Sequence, residues 1–231
     1  MERPGADSKN WKRARKPEQI QVRQEAILTA AKQLLDEGGA DAAGLSAIAR
    51  AAGLSKANLY RYFESREAIL LTIFISELEQ WSLDLGAALT EIPEPGDVTS
   101  VAQLYTDSIS DRTRLNELMS VFAPVLERNL TVESVAVEKS ELRSCFVRLI
   151  PALCSALPQL SKAKANEFLI MQTIFQMGLW PHANPSPEVD EVLRQDAFAD
   201  LRMNFEERVR WHALILLRGL ETVDAPRVRP T

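Results

Sequence analysis

Between Ser46 and Arg66 the chain gathers side chains suited to reading a polyanion. Lys56, Ala57 and Asn58 open a short helix predicted over Lys56–Tyr62, with Ser55 as its cap. The Asn58 amide can pair with adenine and the Lys56 ammonium with guanine. The Ala57 methyl can pack on a thymine methyl. Arg66 opens the next helix, where its own charge and the free N-terminal amides both favour phosphate. Ser46 adds a hydroxyl from the preceding helix, and Arg61 suits either a phosphate contact or plain solvation. Other chemistries lack their residues. The two histidines, His182 and His212, and the two cysteines, Cys145 and Cys154, have no close zinc spacing. No Gly-rich phosphate loop or G-x-S-x-G elbow occurs. The sequence therefore predicts no metal, no cofactor and no catalytic residue.

The elements that hold these side chains are helical throughout. Ala49, Gly53 and Leu59 punctuate the stretch from Leu45 to Tyr62. A small residue stands where two helices would cross, glycine at the turn, and leucine where the second helix would face a core. Ile48, Ala52, Leu54 and Phe63 add apolar contacts. That is the pattern of a helix-turn-helix, although an ordinary helical hairpin fits the same spacing. Upstream, a helix starts at Pro17, carries Ile27, Ala30, Ala31 and Leu34 on one face, and ends at Gly38–Gly39. Downstream, Ser65 caps a long helix striped with Ile69, Leu70, Ile73, Phe74, Leu78 and Trp81, and the chain breaks at Ile92–Gly96. Further helices are predicted near Val98–Ser110, Thr113–Leu126, Val132–Leu157, Lys162–Trp180, Glu188–Leu193 and Phe205–Glu221. Thr131, Ser161 and Asn204 serve as N-caps, the last in a capping box with Glu207. Pro151 should kink or split its helix. No segment alternates with period two, so the fold class is all-α.

Composition limits function in the same direction. Of 231 residues, 46% are hydrophobic and 26% charged, as in an ordinary globular protein. No apolar run approaches the ~18–20 residues of a membrane span, and the polar, basic start lacks a signal-peptide core, so a cytoplasmic location is expected. Cys145 and Cys154 lie ~13 Å apart along a helix at ~1.5 Å per residue, which predicts buried free thiols rather than a disulfide. The net charge of −5 is unevenly spread. Residues 1–66 hold 12 Lys and Arg against 8 Asp and Glu, a balance of +4. Residues 67–231 hold 15 against 24, a balance of −9. Much of the surplus sits in the arm Lys9, Lys12, Arg13, Arg15 and Lys16, as expected when one end meets a polyanion.

The run Ile27-Leu28-Thr29-Ala30-Ala31, with Leu34, Gly38, Ile48-Ala49, Ala52-Gly53-Leu54-Ser55, Leu59-Tyr60, Tyr62-Phe63, Ser65 and Glu67, closely resembles the DNA-binding head of TetR-family transcriptional regulators. The resemblance covers about the first third of the chain. It implies a basic arm over 1–16, a helix-turn-helix head over 17–65, and a ligand-binding and dimerisation body over 66–225. It also implies that Tyr60 and Tyr62 stand at phosphate-contacting positions and that Arg66 replaces a customary Lys. With these two, the expected DNA-contacting set is Ser46, Ser55, Lys56, Ala57, Asn58, Tyr60, Arg61, Tyr62 and Arg66. The chain departs from the family at Ala43 and Gly44, where many members carry Thr. One backbone anchor per half-site is thereby missing, and the arm is placed to compensate by reaching into the minor groove.

In the body, the segments Gly178–Pro187 and Phe198-Ala199-x-Leu201-Arg202 with Phe205-Glu206 resemble one subgroup of TetR-family bodies. The resemblance implies a homodimer through Lys162–Trp180, carrying Phe168, Leu169, Met171, Ile174, Phe175 and Met177. Its partner helix is Phe205–Glu221, carrying Val209, Trp211, Leu214, Leu217 and Leu220. It further implies a repressor on a pseudo-palindromic operator, released when a small molecule shifts the long Ser65-capped helix. Candidate ligand contacts are Trp81, Tyr105, Phe122, Phe146, Met171, Phe175, Trp180 and His182, residues that a plain apolar core would also use. A helical interaction protein without an operator and an all-α enzyme are the competing readings.

Overall fold

The computed structural model describes residues 17–93, 95–122 and 127–223. The basic arm lies outside them, as does the end of the predicted Thr113–Leu126 helix. Ten α-helices and two 3-10 turns make up the described residues, with no strand among them.

The head holds α1 (Pro17–Ala42), α2 (Leu45–Ala51) and α3 (Lys56–Leu59). In α1 the helical path breaks at Gly38–Gly39, and Gly39 takes φ +66°, a conformation open to glycine but costly for residues with a Cβ. Ile27, Ala31 and Leu35 of α1 and Ile48 and Ala49 of α2 are buried together, as the 3.6-residue period requires.

The spine is α4 (Arg66–Thr90), started by Ser65, whose Oγ accepts the Ala68 amide at 3.0 Å. It buries Ile69, Leu70, Ile73, Phe74, Leu78, Trp81, Leu85 and Leu89 along its length and so belongs to both head and body cores. The body adds α5 (Val98–Ser110), α6 (Thr113–Val121), α7 (Val132–Ala156), α8 (Lys162–Ala183), α9 (Pro187–Leu193) and α10 (Phe205–Thr222). Asp97, Thr131, Ser161, Ser186 and Asn204 cap helices by accepting backbone amides, the last from Glu207 at 2.8 Å. The main packing pairs are α4 on α7, α5 on α10, α8 on α10 and α6 on α8.

Two boundaries differ from expectation, and Pro151 does not split its helix. Helix α7 runs through Pro151, and α8 runs through Pro181 to Ala183, three residues past the predicted end at Trp180. Both prolines are exposed, so solvent can take the carbonyl that each ring leaves without a donor. Asn184 then closes α8, its backbone N and side-chain Nδ2 both donating to Trp180 O at 2.9 and 3.1 Å. Helix α3 stops at Leu59 instead of Tyr62 because its hydrogen bonds tighten to three-residue turns. Arg61 N donates to Asn58 O and Tyr62 N to Leu59 O, at 3.2 and 2.9 Å. The thiols are free, Cys145 buried and Cys154 half-buried, and burial pushes both above the ordinary thiol range.

Candidate nucleic-acid interface

Helix α2 ends in a Schellman motif. The Leu54 amide donates back to Ala49 O at 2.8 Å and the Gly53 amide to Arg50 O at 3.1 Å, with Gly53 at φ +67°. Ser55 follows directly, and its Oγ accepts the Asn58 amide at 3.2 Å to start α3. The turn is therefore fixed by two residue types two positions apart, a glycine for its backbone and a serine for its cap. Leu59, fully buried beside Ile48 and Ala49, pins the far side of α3 to the head core. The near side is left bare. Ser46, Ser55, Lys56, Ala57, Asn58, Tyr60 and Arg61 are all exposed. Lys56, Ala57 and Asn58 occupy the first turn of α3, the position from which a recognition helix reaches base edges.

Two expected contacts sit differently. Tyr62 is half-buried and packs against the head core, while Tyr60 is 50% exposed. Arg66 points inward. Its Nε donates to Ala43 O at 2.9 Å, one Nη donates to Ala40 O, and the other lies 3.7 Å from Glu67 Oε1. The guanidinium thus satisfies carbonyls of the α1–α2 connection, where α1 ends at Ala42 before α2 begins at Leu45. Its charge is committed to the head before any phosphate arrives.

The eight ligand candidates are spread between core, cleft and surface. Trp81, Tyr105 and Phe122 are core residues. Tyr105 stands edge-on to Trp81 and Phe168 at 5.8 and 5.4 Å, and Phe122 stacks on Phe74 at 4.6 Å. The Trp81 indole donates to Ser108 Oγ at 3.1 Å, and the Tyr105 hydroxyl donates to Gln176 Oε1. Burial drives the Tyr105 hydroxyl far above the ordinary phenol range, so it stays protonated as a donor. Phe175 stacks on the His212 ring at 3.9 Å. Met171 and His182 are exposed. Clefts at the body surface include ones of about 550 Å³ between α4 and α7, 390 Å³ between α5 and α10, and 460 Å³ between α7 and α8. Phe146 lines the last, beside Lys139 and Arg143.

Residues that sequence reasoning missed stand between head and body. Arg114 of α6 grips Asp36 of α1 through Nη2 and Nε, at 2.7 and 3.0 Å, and reaches Glu77 of α4 at 2.5 Å. Glu117 of α6 accepts the Ala40 amide at 3.0 Å and the Trp180 indole at 3.0 Å. In sequence both look like charges on a solvated helix face, and no local signal marks them.

A glycine turn, a serine cap and a one-turn helix with a bare polar surface, set on a large helical body, define a helix-turn-helix regulator. Residues 27–73 match the family model of the bacterial regulatory proteins of the tetR family, and residues 75–224 match the tetracyclin repressor-like C-terminal domain. The chain belongs to the TetR family of transcriptional regulators. An uncharacterized HTH-type transcriptional regulator of Mycobacterium tuberculosis is 33% identical over 104 residues, 43% of this chain and 50% of that protein, so the match spans only half of that relative's length. The HTH-type transcriptional regulator RutR of Escherichia coli O157:H7 is 29% identical over 150 residues, 62% of this chain and 69% of that one. Among solved structures, the TetR-family regulator PfmR from Thermus thermophilus superposes with TM-score 0.52 at 19% identity, covering 84% of this chain and 98% of its own. FadR from Bacillus subtilis, solved in complex with stearoyl-CoA, superposes with TM-score 0.50 at 17% identity, covering 82% and 97%. Likeness at these identities speaks for the fold alone. No helix among the described residues is long and apolar enough to cross a membrane.

Proposed function

We propose that this protein is a ligand-responsive repressor that acts in the cytoplasm as a homodimer on a pseudo-palindromic operator. The observation that carries the reading is the bare first turn of α3, with Lys56, Ala57 and Asn58 exposed over a buried Leu59. Tyr60, Arg61, Ser46 and Ser55 flank it and suit phosphate and sugar contacts, which position a reader without specifying sequence. Arg66 serves the same surface indirectly, by bracing the α1–α2 connection.

The dimer reading rests on α8 and α10. Phe168, Leu169, Val209, Leu217 and Leu220 are buried within one chain, whereas Met171, Ile174, Trp211 and Ile215 are 40–57% exposed. Apolar side chains bared on two adjacent packed helices favour a second copy as their cover. The effector site belongs to the body. Phe146 is the ligand candidate that best keeps that role, because it lines a cleft rimmed by two cations.

The test is selection of bound duplexes from a random library, followed by affinity measurement at fixed salt. An inverted repeat with half-sites about one helical turn apart, or a multiple of it, is expected. Asn58→Ala removes one base contact in each half-site and should weaken the selected site by about 30-fold or more, the ~2–6 kcal/mol of two bidentate base contacts, and leave random DNA unaffected. Equal affinity of the wild type for selected and random DNA would reject the reading.

A further inference from the structure

Helix α6 has nine residues, yet it touches α1 of the head, the spine α4 and the late helix α8. Its half-buried Glu117 divides one carboxylate between two distant donors. Oε1 accepts the backbone amide of Ala40, at the end of α1, and Oε2 accepts the indole N–H of Trp180 on α8, both at 3.0 Å. The approach to the head is close. A Cβ on Gly39 would fall 2.8 Å from Glu117 Oε1, so the glycine that breaks α1 also makes room for the carboxylate. The Ala40 carbonyl is held in turn by Arg66. At the other end, Trp180 is buried and stands edge-on, 4.9 Å away, against Phe205, the first residue of α10.

We propose that Glu117 is a positioning residue that ties the DNA-reading head to the α8–α10 junction and so sets the head's orientation on the body. The link is specific to a carboxylate. The two N–H donors meet different oxygens of the one group, and a glutamine in the same pose would turn its NH2 toward one of them. The neighbouring Arg114–Asp36 grip keeps the head attached when the Glu117 link is cut, so the freed motion is a rotation rather than a detachment. Because Phe205 and Trp180 belong to the helices assigned to the dimer, the residue couples head orientation to that seam. This last step rests on the dimeric, operator-binding reading; the head–body link itself does not.

The test uses spin labels at Glu25→Cys on the head and Ala163→Cys on α8, in a Cys145→Ala/Cys154→Ala background. Labelled chain is diluted into unlabelled protein, so that only distances within one protomer are read. Glu117→Gln must give up one of the two hydrogen bonds and Trp180→Phe gives up the indole one, so each cuts the tie from head to α8, while the phenyl ring keeps the packing on Phe205. Each should at least double the width of the head–body distance distribution and weaken binding to the selected operator about tenfold, within the usual range of coupling between sites. The double variant should do no more than either single, because either one alone already severs the tie. Melting temperatures should stay within a few degrees, which excludes unfolding as the cause. Unchanged distance distributions in both singles, or additive effects in the double, would overturn the proposal. Failure to select any operator would count against the DNA-binding reading alone, since the distance measurement needs no DNA.

Discussion

Trp211→Ala tests the dimer face where it is most bare. Trp211 is 57% exposed in the single chain, with Arg208 6.0 Å from its ring centroid and Ile215 one turn along α10. A tryptophan buries up to ~250 Å², so ~140 Å² of its surface awaits a cover. At ~25 cal/mol per Å² that area is worth ~3.5 kcal/mol, of which alanine retains a small part. The loss of ~3 kcal/mol per protomer lies within the usual range for an interfacial hot-spot tryptophan. Two-fold symmetry applies it twice, so the dimer should weaken by ~6 kcal/mol, about four orders of magnitude in Kd. Sedimentation equilibrium over a concentration series measures this directly. Leu83→Ala, an exposed leucine on α4, is the control and should leave the Kd unchanged. A Trp211→Ala dimer within tenfold of wild type would refute the assignment of this face.

His212 and the arm supply two further tests. Burial holds the His212 imidazole below its ordinary value, with Nδ1 2.6 Å from Gln172 Oε1, so the folded chain resists a proton that the unfolded chain accepts. Stability should therefore be full above the ordinary value of 6.5 and fall as pH drops from there toward the lowered folded value, and His212→Gln should flatten that part of a melting-temperature profile. Deleting residues 1–16 should flatten the salt dependence of operator binding by ~0.9 for each phosphate the arm no longer neutralises, or ~3.6 if the arm of each protomer in a dimer neutralises two. An unchanged slope would remove the arm from the interface.

What the sequence discloses is what is local. The caps Ser55, Ser65, Thr131, Ser161 and Asn204 each act on an amide three residues away, and each is readable from residue type and position. Gly53 and Leu59 are readable for the same reason. The prolines mislead, because Pro151 and Pro181 break a helix only where the freed carbonyl has no other partner. That depends on which face meets solvent. The apolar residues of α8 lie on every side of the helix, so their division into core and bare surface follows from where α5, α6, α7 and α10 stand. Arg66 and Glu117 are illegible as to role. The position of Arg66 at a helix start suggests a side chain free for phosphate, but carbonyls 23 and 26 residues upstream hold it. The partners of Glu117 lie 77 residues before it and 63 after it.

The charge split also takes a different meaning once the head is seen. Residues 17–65 hold five Lys and Arg against six Asp and Glu, so the surplus of the first 66 residues comes from the arm and from Arg66. Arg66 is spent on carbonyls. The folded head therefore offers DNA a few local cations, Lys56 and Arg61 foremost, and one turn of helix with which to read bases. On the proposed dimeric reading, so small a surface would bind one half-site weakly, and useful affinity would come from engaging two at once. Simultaneous engagement multiplies any error in the spacing of the heads, because a head out of register forfeits its half-site. In a protein built this way, a carboxylate that holds head orientation, as proposed for Glu117, acts on operator affinity without touching DNA.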